Sequence, residues 1–370
     1  MTMATPEIFS PERLKLARQR RGLLLQELAA RIGVTPKTVS RWERGERAPE
    51  ESALIMKLSI ELGFPRDYFF GDAPPVLEDM AFRSLARMTA RQRDIAVSAG
   101  AQAVNLDLWL DRYITRPPLD IPDLRGHSPA GAADAVRAAW GLGYKPLPNL
   151  VHLLESRGVR VYSLVHEGTD FDAFSVWYGS VPFVFLNTTV TAERSRLDAC
   201  HELGHLVLHA RTGGGATKPE NIEAQEFASS FMMPAAPFIA SAPYRITPAT
   251  VIEAKQKWGV SALSFVRRLH VLKRINDWQY KSLCIEFKTR YRTTEPGPER
   301  PREASKVLAW AFSSESGISR RDAIKHLRIH MSDLDEMTFG LALTSMKGGK
   351  PEGEKPEAGG GGKPDLRLVK

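Results

Sequence analysis

The stretch "DACHELGHLVLHA" at 198–210 limits what this chain can fold into more than any other. His201 and His205 can address one ion only if they lie on a helix, where a spacing of four places them about 40° apart around the axis and one turn along it. Glu202 then sits about 100° round from His201. From there it can reach a water at the ion without being the natural third ligand. The pattern H-E-x-x-H therefore carries two ligands and a general base. The helix must also pack: Leu203, Leu206 and Leu208 give it an apolar side, and Gly204 lets a neighbour come close. His209 lies one further turn on, and the drift of about 40° per step carries it away from an ion held by the first two. It reads as a histidine at the helix end. Cys200 faces elsewhere and reads as a buried, inert thiol.

Two ligands do not make a stable zinc site, so a third is expected downstream. After the glycine-rich "TGGGATKP", the segment "NIEAQEFASSFMMP" forms a second helix and, with Glu220 just before it, offers Glu220, Glu223 and Glu226. Ala224, Phe227, Ala228 and Phe231 are its buried stripe. Glu223 flanks that stripe, one turn before Phe227, and is the choice for the third ligand. Glu226 is turned further away and is the reserve. Glu220 sits at the fraying start beside Pro219.

The rest of the chain divides by period and punctuation. Residues 11–72 are short helices separated by glycine turns at Gly22 and Gly33. Residues 76–157 are a helical connecting region, and 158–295 hold the metal motif. Residues 296–345 are further helices, and the Gly-, Pro- and charge-rich 346–370 is expected to be a disordered tail. Within 158–295, "VRVYSLV", "DAFSVWYG" and "PFVFLN" are rich in β-branched and aromatic residues and separated by turn signals. They are expected to form a small antiparallel sheet. The fold class is accordingly α+β and mostly helical: an all-α N-terminal domain, then a zincin-like domain with a small sheet packed on helices.

Helix, glycine turn, helix, then "TPKTVSRWERG" is the order a helix-turn-helix needs. Thr35 caps the third helix and Pro36 occupies its first position. Lys37, Thr38, Ser40 and Arg41 form a donor-rich edge for the major groove, while Val39 and Trp42 point to the core. Gln26, near the start of the second helix, is placed to grip a phosphate. Residues 11–50 hold ten Lys/Arg against five Glu, a local +5 within a chain total of +8. The first helix is expected to carry a basic face beside Leu14, Leu16 and Ala17. This predicts a double-stranded DNA operator as partner, and such proteins often dimerise to match two half-sites.

Two cysteines exclude a disulfide framework, and no apolar run is long enough to span a bilayer. No membrane partner and a cytoplasmic location are the expectations.

Two resemblances follow from these residues. "LLLQELAARIGVTPKTVSRWERGERAP" resembles the Xre/Cro-like helix-turn-helix family, with Leu25 where that family often has a hydroxylated cap. "RLDACHELGHLVLH" followed by "EAQEFASSFMMP" resembles the ImmA/IrrE family of zinc metallo-endopeptidases. Supporting stretches are "WGLGYKPLPNLVHLLESRGVRVYSL", "VFLN", "WGVSALSFVRRLHVL" and "RTTEP". The second resemblance implies Zn2+ held by His201, His205 and Glu223, with Glu202 as catalytic acid/base. It also implies cleavage of a repressor protein, in trans or in cis, that derepresses stress- or phage-related genes. The chain departs from the family at Leu197-Asp198-Ala199-Cys200, where an aromatic-Thr-apolar-Ala run is usual. The rival expectation is an Xre-type regulator or antitoxin-like repressor whose zinc domain is sensory or structural.

Overall fold

The computed structural model describes residues 8–77, 88–164, 173–209, 216–292, 294–340 and 367–368. Among these lie sixteen α-helices and a small three-stranded sheet. None of the described helices is long and apolar enough to cross a membrane.

The N-terminal unit is built from α1 (Pro11–Arg20), α2 (Leu25–Ile32), α3 (Pro36–Glu43) and α4 (Ser52–Leu62), followed by a 3-10 turn at Arg66–Phe70. α2 stops at Gly33, whose φ of 78° is open to glycine at no steric cost. The N-cap of α2 is Leu24 rather than Leu25. It has no side-chain acceptor, and its own N–H donates to Glu27 Oε2 at 2.7 Å instead. Thr35 caps α3 by accepting the Thr38 N–H at 3.2 Å, with Pro36 at the first helical position.

The sheet consists of β2 (Arg160–Leu164), β3 (Phe174–Tyr178) and β4 (Val181–Asn187), in the order β2-β4-β3. The expectation of an antiparallel sheet holds for only one of its two pairings. β3 and β4 form an antiparallel hairpin around Gly179, but β2 runs parallel to β4. The reason is topological: the hairpin strand β3 lies between β2 and β4 in sequence, so the chain reverses twice before β4 is laid beside β2.

Side chains alternate across this sheet and feed two cores. Tyr162, Leu164, Phe174, Val176, Phe183 and Phe185 face the first, together with α1–α4, the long helix α5 (Ala90–Leu110) and α14–α16 (Lys306–Ala311, Arg320–Leu327, Met331–Met337). Val161, Trp177, Val184 and Leu186 face the second. That core is completed by α6 (Pro129–Ala139), α7 (Leu150–Ser156), α8 (Ala192–Leu208), α9 (Lys218–Met232) and the helices α11–α13 (Pro248–Trp258, Ala262–Val271, Asp277–Tyr291). Residues 90–156 are thus shared between the two cores.

The basic face expected on α1 is largely turned inward. Arg13, Arg18 and Arg20 are buried. Arg18 makes a two-pronged bond to Glu43, Arg20 pairs with Glu336, and Arg21 bonds Asp333 at 3.2 Å. The C-terminal helices supply two of those three carboxylates. Ion pairing across more than 300 residues cannot be read from the local pattern, so part of the N-terminal charge surplus ties the fold together. Of the expected tail, only Arg367–Leu368 is described, paired antiparallel with β1 (Ile114–Thr115). The remainder of 341–370 lies outside the described residues, as do 78–87 of the helical region.

Candidate metal centre and nucleic-acid interface

α8 starts at Thr191, whose hydroxyl accepts the Arg194 N–H at 3.3 Å, and ends where His209 turns to extended backbone. It packs against the sheet on one side and α9 on the other. Close approach to α9 depends on Gly204: a Cβ there would meet Phe227 Cδ1 at 3.0 Å and the Ala224 Cα and carbonyl oxygen at 3.1 and 3.2 Å. Gly204 and Ala224 are the two small residues that let the helices touch nearly backbone to backbone.

His201 and His205 project from adjacent turns, and their Nε2 atoms lie 3.2 Å apart. Two imidazole nitrogens at about 2.0–2.1 Å from one tetrahedral zinc would be separated by about 3.3 Å. The pair therefore fits two positions of such an ion. His205 Nδ1 lies 2.9 Å from His209 Nδ1, and His209 Nε2 lies 3.0 Å from Glu223 Oε2. One tautomer pattern satisfies the whole row. His205 Nδ1–H donates to His209 Nδ1, and His209 Nε2–H donates to the Glu223 carboxylate. That leaves a lone pair on His205 Nε2, the state a ligating histidine needs, with its other nitrogen fixed by a hydrogen bond.

The structure brings His201 and His205 together. It places Glu223 on His209 rather than on that pair, and the Glu223 side chain is 52 % exposed. No group of three or more His, Cys, Asp or Glu among the described residues is gathered as a metal cage. Glu226 is exposed, and its charge acts on Arg268, which is anchored on the Met233 carbonyl and the Ser230 hydroxyl. Cys200 is fully enclosed, and burial pushes its thiol up to about 12. Asp198, the departure upstream, pairs with Arg194 one turn before it.

Glu202 is buried and accepts a hydrogen bond from Ser175 Oγ at 2.6 Å. Ser175 lies on β3 between Phe174 and Val176, which face the other core, so the period-2 alternation aims its hydroxyl at α8. Sequence reasoning missed this residue. Its only signal was a single hydroxyl in an otherwise apolar and aromatic strand, "FSVWY".

In the N-terminal unit, Val39 and Trp42 of α3 are buried and anchor it. Lys37 is exposed, and Thr38, Ser40 and Arg41 are partly so, as the donor-rich edge requires. Thr38 Oγ1 and the capping Thr35 Oγ1 lie 2.8 Å apart, Ser40 receives Arg44, and Arg41 sits 3.7 Å from Glu46. Gln26 is exposed on the first turn of α2.

Residues 14–69 match the family model for a helix-turn-helix, and residues 154–270 match that for an IrrE N-terminal-like domain of the M78 peptidases. The chain joins a helix-turn-helix domain to an IrrE-like, metallopeptidase-like domain. No curated protein matches it significantly. The IrrE-like match covers α8, α9 and the whole sheet, so every residue of the histidine row and Ser175 lie inside it. The helix-turn-helix match covers α2 and α3 entirely.

Proposed function

We propose that this chain is a DNA-binding transcriptional regulator whose IrrE-like domain is a zinc-dependent endopeptidase acting on a repressor protein. The observation that carries the reading is the Nε2 separation of 3.2 Å in the histidine pair, with the buried Glu202 carboxylate on the same helix. A site with only a structural role would not need a carboxylate base beside the histidines. Zn2+ bound there would act as a Lewis acid on a scissile carbonyl and lower the pKa of an attacking water. His201 and His205 would hold it, and we assign the third position to Glu223, whose half-exposed carboxylate would have to leave His209 to reach it. Glu226, facing Arg268, stays the reserve.

Glu202 takes the proton of the attacking water and delivers it to the leaving amine. Ser175 fixes one oxygen of that carboxylate by donating its hydroxyl at 2.6 Å. His209 holds His205 in the ligating tautomer. The zinc requirement is testable by mapping new N-termini in the host proteome after adding the full chain with zinc or with a chelator. Cleavage of one or a few proteins, repressors among them, is expected with zinc alone. Identical products after chelation would reject the metal-dependent reading and favour a regulator with a sensory domain.

At the other end of the chain we assign Gln26, Thr35, Lys37, Thr38, Ser40 and Arg41 to the operator interface. Arg41→Ala is expected to weaken operator binding by about 1–3 kcal/mol if its guanidinium reads a base. Gel-shift affinities at one salt concentration check this. An unchanged affinity would remove Arg41 from the interface.

A further inference from the structure

A polar cavity of about 340 Å³ lies where the helix-turn-helix unit, the end of α5 and the end of α15 meet, and no residue of the histidine helix lines it. Arg13 and Asp72 come from the first, Trp109 from α5 and Arg112 from just beyond it, His326 from α15 and Arg328 from its C-cap. Three guanidiniums and an imidazole thus face one carboxylate.

The position of Arg13 is built in. Its Nε donates to the Asp72 carbonyl at 2.7 Å, and its Nη1 is shared between the carbonyls of Tyr68 and Leu327 at 3.3 and 3.2 Å. Its guanidinium also lies 4.9 Å from the centre of the Tyr68 ring. Gly71 makes room for it, since a Cβ there would stand 2.5 Å from the Arg13 Cζ. Arg328 caps α15 with a φ of 57°, a conformation rare for a side chain of this kind, and its Nη1 donates to the Asp67 carbonyl at 2.9 Å. The His326 ring is stacked at 24° on Trp109. Burial lowers the His326 pKa first, and Arg112, Arg13 and Arg328 lower it further against Asp72. The three guanidiniums thus line one cavity, opposed by Asp72 and, at Arg13, also by Asp67, and such convergence of like charge is relieved by an anion.

We infer that this cavity is a binding site for a small organic or inorganic dianion, a phosphate or a dicarboxylate of metabolite size. The volume suits a small molecule, and the fork of an arginine matches either group. The walls come from both the helix-turn-helix unit and the C-terminal helices, so a dianion seated there would bridge the two.

Titration calorimetry of the full chain with inorganic phosphate, succinate and chloride at matched ionic strength tests this. Saturable binding of one dianion per chain is expected from phosphate, succinate or both, and none from chloride. The stronger of the two tells a phosphate ligand from a dicarboxylate. Arg112→Gln alters an exposed side chain and is expected to weaken that binding by about tenfold, the loss of one charge-assisted contact. Arg112→Gln combined with Arg328→Gln is expected to remove it. No saturable heat with either dianion, or equal affinity in wild type and Arg112→Gln, would overturn the assignment. So would reduced operator affinity in Arg112→Gln without dianion binding in wild type, which would give these arginines to the DNA backbone.

Discussion

Replacing Glu202 with glutamine is expected to cut peptide cleavage by about 10²–10⁴-fold while zinc content and operator affinity stay as in wild type. Glutamine has nearly the same shape, and its carbonyl oxygen can still accept the Ser175 hydroxyl that now lies 2.6 Å from the carboxylate. What it cannot do is take a proton. General acid–base catalysis contributes about 10²–10⁴-fold, so the single-turnover rate on the cleaved repressor is expected to fall by about that factor. Full cleavage by this variant would remove Glu202 from the chemistry and leave the fold argument standing. Ser175→Ala is expected to act in the same direction and more weakly, because it removes one hydrogen bond to the carboxylate without removing the carboxylate.

The second large effect is structural and falls on Gly204. Valine at this position puts a Cβ 3.0 Å from Phe227 Cδ1 and about as close to the Ala224 backbone, and adds two further methyls at the tightest point between α8 and α9. Backbone atoms of α9 cannot step aside as a flexible side chain would. Overpacking of this kind costs about 1–3 kcal/mol, to be read as a lower denaturant midpoint. The displacement also carries Glu223 away from His209, so bound zinc should fall with stability. Gly204→Ala makes the smaller clash and recovers about 1 kcal/mol of helix propensity, which offsets part of its loss. A valine variant as stable as wild type would mean that α8 and α9 are not held at this distance.

Much of this was legible locally. The H-E-x-x-H spacing, the buried stripe Ala224–Phe231 and the capped α3 with inward Val39 and Trp42 each follow from the period of one element, and the structure has all three. Relations between distant elements were not legible. The parallel pairing of β2 with β4 depends on strand order, which no strand carries in its own sequence. Arg20 and Arg21 looked like part of a DNA-facing surplus because their carboxylates, on Glu336 and Asp333, lie more than 300 residues downstream. Ser175 shows the same limit at the site: alternation predicts which face it takes, but not that α8 brings a carboxylate to meet it. His209 was set aside by its angular drift on α8, and that drift is what leads it from His205 to Glu223.

On the proposed reading the histidine helix is a zinc centre completed by Glu223. Elemental analysis of the purified full chain, His201→Ala and Glu223→Ala tests this. About one zinc per wild-type chain, lost in both variants, is the predicted result. Loss in His201→Ala alone would move the third ligand away from Glu223, and wild type purified without zinc would mean that the histidine helix is not a zinc centre.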